Sequence, residues 1–270
     1  MTTRLDYDVL HSFATTQVIE PYYDRQKATL LGLTLTRGKG LLRRKNPYLF
    51  RAKNIQTSGE FVQYALDAFL SSSEETMFGN LLEGLAIYIC GQVYGGYKAT
   101  PKVMPSIDLV FARDGNCYVV GIKSGPNWGN NDQLRAMARN FKAAKALLRE
   151  RGEKLPIIGV NGCMYGIDEL PWKQNLEDSE LSYYKFCGQR FWAFISGDED
   201  LYLRLIQPLG EHAKQRRAAF VKLYNAKINE LTAEFSAHFL SEDNQIDWEK
   251  LIRFVSASQK TGGESRTGLP

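Results

Sequence analysis

The feature that most constrains this chain is the dipeptide Asp114-Gly115, flanked on both sides by short runs rich in apolar residues. A two-residue turn of this composition is a strong hairpin signal, because a type I′ turn needs positive φ at both central positions. With Arg113 and Asn116 flanking the turn, pairing proceeds outward: Ala112 with Cys117, Val110 with Val119, Asp108 with Gly121. Side chains alternate faces along a strand, so Asp108, Gly121 and Lys123 fall on one face. Lys123 then lies diagonal to Asp108, roughly 7–8 Å away between backbones and within reach of a long side chain. An acid and a lysine converge with nothing bulky between them. On spacing alone, an exposed aspartate and an exposed lysine on a strand remain the plainer reading.

Around the hairpin the pattern alternates helix and strand. Residues 5–30 suggest a helix interrupted at Pro21, and Ser58 begins a helix through Leu70. Ser71-Ser72-Ser73-Glu74-Glu75 then offers N-capping oxygens and first-turn acids for a second helix, whose stripe is Leu81, Leu82, Leu85 and Ile89. Glu83 interrupts that apolar segment, and by pattern alone it faces solvent. Tyr94 to Lys98 leads into a first strand, and Asn131 or Asp132 can cap the helix after the hairpin. That helix carries Leu134, Met137, Phe141, Ala144 and Leu148 at steps of three and four, a buried stripe. Arg135, Arg139, Lys142 and Arg149 form a second, solvated stripe. Pro156 to Val160 reads as a short buried strand. An aromatic strand-to-helix unit follows near 182–197, then a long helix from about Leu209 and a shorter one at Trp248–Val255. The tail from 259 to 270 is polar and Gly-rich, an expected disordered end.

Composition removes several classes. The chain has 270 residues, 44% of them hydrophobic, enough for one sizeable core. Four cysteines (Cys90, Cys117, Cys163, Cys187) lie far apart without CxxC pairs or nearby histidines, so reduced, buried thiols are expected rather than zinc. His11, His212 and His238 are scattered and carry no assigned chemistry. No apolar run approaches the ~18–20 residues of a membrane span, and the N-terminus lacks a signal core. A soluble cytoplasmic protein is expected. The net charge of +4 is too mild to argue for nucleic acid by itself.

The segment Pro105-Ser106-Ile107-Asp108 followed by Gly121-Ile122-Lys123 resembles the catalytic hairpin of the PD-(D/E)XK nuclease superfamily. It departs twice: two residues intervene between Pro105 and Asp108, and Gly121 stands where that superfamily carries a carboxylate. The stretches NPYLFRAKN (46–54), SSSEETMFGNLLEGLAIYI (71–89), IKSGPNWGN (122–130) and CGQRFWAFISGDEDLY (187–202) are similar to a group of type II restriction endonucleases in it. This resemblance covers most of the chain.

The resemblance implies an α/β, restriction-endonuclease-like core of helix, three strands, helix and strand about a mixed central sheet. The expected organisation is one domain over 1–258, with its core at about 75–160 and a helical C-terminal part at about 198–258. It implies Mg²⁺-dependent, sequence-specific cleavage of double-stranded DNA by a homodimer. Asp108, Lys123 and Glu83 become the catalytic candidates. Asp108, Glu83 and the Ile122 carbonyl become the metal ligands, with Glu83 standing in for the acid absent at Gly121. A repair or structure-selective nuclease, or an inactive DNA-binding protein of the same fold, are the alternatives.

DNA contacts are expected in two places. Arg37, Lys39, Arg43, Arg44, Lys45, Arg51 and Lys53 fall within seventeen residues and alternate with Tyr48 and Phe50. Arg43, Arg44 and Lys45 are the central candidates for phosphate contacts, against a solvated basic loop as the plainer reading. Ser124, Asn127, Trp128 and Asn130 offer polar groups and a ring on a glycine-hinged loop, and Gln133, one turn into the following helix, can reach the same face as Lys123, unless Trp128 is plugged into the core.

Overall fold

Asp114 and Gly115 take φ of 50° and 74°, the two positive values that a type I′ turn requires. The computed structural model describes residues 4–211 and 213–257; His212 and the tail 259–270 lie outside the described residues. Strand β1 (Tyr97–Lys98) precedes the hairpin of β2 (Leu109–Arg113) and β3 (Asn116–Lys123). The register is the expected one: Arg113 faces Asn116, Ala112 faces Cys117 and Val110 faces Val119. After a long helix, β4 (Ile157–Cys163) lies parallel to β3; β5 (Trp172–Lys173) and β6 (Tyr183–Cys187) complete the sheet in the order β1-β2-β3-β4-β6-β5.

The helices are α1 (Tyr7–Phe13), α2 (Glu20–Leu31), α3 (Pro47–Ala52), α4 (Ser58–Tyr94), α5 (Asn131–Glu150), α6 (Gln189–Ser196), α7 (Leu201–Arg204), α8 (Ile206–Gly210), α9 (Ala213–Phe239) and α10 (Trp248–Ser256). From α4 to β4 they give the helix, three strands, helix and strand of a restriction-endonuclease-like core.

Three local expectations are corrected. No interruption occurs at Pro21; a π-helical segment, Ala14–Ile19, joins α1 to α2, and Glu20 N–H reaches back five residues to Thr15 O. The wider turn accommodates the proline, which has no N–H to give. Ser71 to Ser73 do not start a new helix, because Ser72 Oγ turns back to Ala68 O at 3.1 Å and α4 runs through. Helix α5 is capped by Asn130 rather than Asn131 or Asp132. Asn130 Oδ1 accepts from Gln133 N–H, and Gln133 Oε1 accepts from Asn130 N–H, both at 3.0 Å, a reciprocal capping box.

The chain divides into two compact units, Met1–Arg25 with Glu75–Ala213 and Gln26–Glu74 with Lys214–Pro270. In the first, alternation along β2 and β3 feeds two cores. Leu109, Phe111, Val120 and Ile122 pack with Leu85 and Ile89 of α4 on one face. Val110, Cys117 and Val119 pack with Met137, Phe141, Ala144 and Leu148 of α5 on the other. Each large side chain so buried contributes roughly 1.5–3 kcal/mol. The second unit centres on Phe50, Phe61, Leu66 and Phe235, with Phe61 stacked on Phe235 at 4.6 Å. All four cysteines are free and buried. No helix among the described residues is long and apolar enough to cross a membrane.

Candidate active site

The regular β2–β3 ladder ends at Leu109 opposite Val120, so Asp108 does not pair formally with Gly121. Its N–H instead donates to Val120 O at 2.8 Å, and its Oδ2 accepts from Ile122 N–H at 2.7 Å. The carboxylate is thereby pulled across the open end of the hairpin. Lys123 Nζ lies 4.0 Å from Asp108 Oδ2 and donates to Ile122 O at 2.9 Å. It also stands 5.2 Å above the Trp128 ring. The acid and the lysine therefore meet at one peptide residue, Asp108 on the Ile122 N–H and Lys123 on the Ile122 carbonyl, both side chains largely buried.

Gly121 explains both departures of the hairpin from its superfamily pattern. A Cβ there would come within 2.7 Å of Ser106 O and 3.7 Å of the Phe141 ring. Ser106 adopts φ of 61°, and its Oγ accepts from Asn140 Nδ2 at 2.8 Å. The residues inserted between Pro105 and Asp108 thus form a turn whose carbonyl fills the space above Gly121. A carboxylate at 121 has no room while that turn stays in place.

Glu83 projects from α4 with 23% of its side chain exposed, and its Oε1 accepts from Lys98 Nζ at 3.3 Å. Burial first, and then the negative charge of Asp108, push its carboxyl above the usual range. A carboxyl whose ionisation is opposed by burial and by a neighbouring carboxylate is a setting that a cation relieves. Among the described residues no group of three or more His, Cys, Asp or Glu gathers to hold a metal. The available donors are the Asp108 and Glu83 carboxylates and the Ile122 carbonyl. That set is hard and oxygen-only, and it fits Mg²⁺, which uses one or two carboxylates and keeps several waters.

The loop after Lys123 is held from beneath. Tyr165 N–H donates to Ser124 O at 3.1 Å, and Lys185 Nζ donates to Pro126 O at 3.0 Å. Lys185 and Lys173 also flank Asp168, at 3.1 and 2.8 Å. Burial works against the Asp168 carboxylate, yet the two ammoniums hold its pKa below the usual range. On this base Ser124, Asn127, Asn130 and Gln133 are exposed. The cap engages the side-chain oxygens of Asn130 and Gln133 and leaves their NH₂ groups as donors. Trp128 packs partly against the α5 core, and its buried Nε1 has no protein partner.

Arg43, Arg44 and Lys45 belong to the other unit. Arg43 lies over the Phe254 ring and Arg44 over the Phe69 ring, each at 5.1 Å. Lys45 Nζ donates to Ala68 O at 2.6 Å. Of the α5 basic stripe, Lys142 and Arg149 dock onto Asp178 and Glu180 at 2.7 and 3.0 Å.

Sequence reasoning missed Lys98, Ser106, Asn140 and Lys185. Only Ser106 gave a signal, as one of the residues inserted between Pro105 and Asp108.

An acid–lysine pair thus stands at the mouth of the hairpin, and a second acid reaches toward it from the preceding helix. The family described as type II restriction endonuclease EcoO109I matches residues 10–217 of the 270. The match spans well over half the chain and both catalytic candidates of the hairpin, and the chain belongs to that family. No curated protein matches it.

Proposed function

We propose that this protein hydrolyses phosphodiester bonds of double-stranded DNA at a specific sequence, as a Mg²⁺-dependent type II restriction endonuclease. The observation that carries the reading is Lys123 Nζ at 4.0 Å from Asp108 Oδ2 with its hydrogen bond on Ile122 O. Asp108, Glu83 and Ile122 O would hold Mg²⁺, which when bound would supply charge neutralisation at the scissile phosphate and Lewis acidity toward water. Lys123 orients the attacking water, takes part in its deprotonation and stabilises charge as it develops. Ser124, Asn127, Trp128, Asn130 and Gln133 meet the DNA beside the scissile bond, and Arg43, Arg44 and Lys45 contact phosphates. The chain acts in the cytoplasm as a single 1–258 domain and as a homodimer, α9 being the candidate dimer element. Two-fold symmetry brings one centre to each strand.

One observation favours a second reading. Among the described residues two carboxylates, Asp108 and Glu83, supply the centre, which suits a protein that binds DNA without cutting it. Incubating the purified protein with Mg²⁺ and a plasmid of known sequence separates the cases. Discrete, reproducible fragments are expected. A smear points to a repair or structure-selective nuclease, and an intact plasmid bound by the protein points to an inactive binding module.

A further inference from the structure

The partner of Glu83 is exposed where Glu83 is not. Lys98 has 60% of its side chain exposed against 23% for Glu83, yet the two meet at 3.3 Å. The backbone at Lys98 is anchored on both sides. Ala99 N–H donates to Asp108 O at 3.1 Å, and Gly96 N–H donates to Cys90 O at 3.2 Å. Gly96 is pressed so close to α4 that a Cβ there would meet Cys90 Sγ at 2.7 Å. The main chain at Lys98 is thus held near both acids, while its side chain is mostly exposed and meets protein through its ammonium on Glu83. Lys123 repeats the pattern, its ammonium resting on Ile122 O beside Asp108. Each proposed metal ligand is accordingly engaged or neighboured by a lysine.

We propose that Lys98 is a positioning residue that serves as the internal counterion of Glu83, yields it to a divalent cation, and then turns to a DNA phosphate. This rests on the reading of Asp108 and Glu83 as metal ligands. An ion pair whose ammonium comes from a mostly exposed side chain is a weak competitor, so a divalent cation displaces the ammonium without unfolding anything. The released charge stays at the rim of the centre, at a reach set by the fixed backbone of β1. Lys98 thereby adds a second link between metal occupancy and DNA affinity, beside the neutralisation of Asp108 and Glu83 by the cation itself.

The test uses the full chain without DNA, titrated with Mn²⁺ in a calorimeter. In Lys98→Met, Mn²⁺ is expected to bind about two- to fivefold more tightly, because a competing exposed cation has been removed. With Ca²⁺ present to permit binding, the salt slope of DNA affinity should fall by about 0.9, one phosphate contact. Lys98→Arg should restore that slope. Unchanged or weaker Mn²⁺ binding in Lys98→Met overturns the proposal, and so does an unchanged salt slope. Glu83→Gln and Asp108→Asn separate this failure from that of the centre itself. If both variants still bind Mn²⁺ as the parent does, the metal-ligand reading falls and this proposal with it. If both lose Mn²⁺ while Lys98→Met leaves its affinity unchanged, only the role of Lys98 falls.

Discussion

The cations around the hairpin and those of the 37–53 segment are held in opposite ways. Lys123 and Lys98 rest beside carboxylates, Asp108 and Glu83, at 4.0 and 3.3 Å. Arg43 and Arg44 rest on aromatic rings and Lys45 on a carbonyl. A lysine beside a carboxylate has its field largely cancelled, and the pair is open to exchange with a stronger cation. A guanidinium on a ring keeps its full charge while its orientation is set, and Arg44 is fixed further by its Nε donating to Lys39 O at 2.6 Å. The first arrangement suits a site that takes up a metal, and the second suits a surface that meets phosphates. The difference lies in what neutralises each charge, and the number of basic residues does not reveal it.

The largest effects should come from the hairpin. Asp108→Ala and Lys123→Ala are each expected to reduce cleavage by about 10²–10⁴-fold with the fold intact by circular dichroism. Specific DNA binding should persist in Asp108→Ala, and full activity in either variant removes the proposed site. Gly121→Leu comes next. The new side chain must displace Ser106 O, so stability should fall by about 1–3 kcal/mol. Cleavage should fall on the order of 10²-fold as Asp108 shifts with the turn. Single-turnover rates beside a thermal melt distinguish the two costs, and normal activity in the Gly121→Leu variant would show the turn is not as described.

Neutralising Arg43, Arg44 and Lys45 together should act on binding and leave the single-turnover rate on saturating DNA unchanged. Affinity should weaken for all sequences alike, with the salt slope falling by up to about 0.9 per lost contact. Because these residues also pack, stability should drop by about 1–3 kcal/mol, combining ring contacts and a hydrogen bond. An unchanged slope would return the segment to ordinary surface. The smallest effect is expected for Lys45→Met alone, about 1 kcal/mol or less in a denaturant titration, since its partner Ala68 O already lies within a helix.

What was legible in the sequence follows the range of the interactions. The Asp114-Gly115 turn and the pairing it dictates are local, and the register was readable to within one residue of Asp108. The stripe from Met137 to Leu148 was readable because one face of α5 meets one core. Competition between local signals misled elsewhere. Ser71 to Ser73 look like a cap, but no chain break follows, and Ser72 bonds back into its own helix. Asn130, Asn131 and Asp132 are all good caps, and only the reciprocal bond with Gln133 selects the first. Lys98 on Glu83 and Lys185 on Pro126 were not readable, because each joins elements whose contact depends on the whole sheet. Gly121 looked like a missing acid; the space is taken by Ser106 O, delivered by a turn with φ of 61°.

The central claim is that Glu83 supplies the carboxylate for which Gly121 leaves no room. A crystal of the protein with its DNA and Mn²⁺, read by anomalous scattering, tests it most directly. The account places the manganese peak between Asp108, Glu83 and the Ile122 carbonyl, with oxygen distances near the ~2.0–2.1 Å of Mg²⁺ or slightly longer for the larger ion. The peak should vanish in Glu83→Gln while the DNA stays bound. A manganese ion held by Asp108 with Glu83 turned away on the outer surface would contradict it.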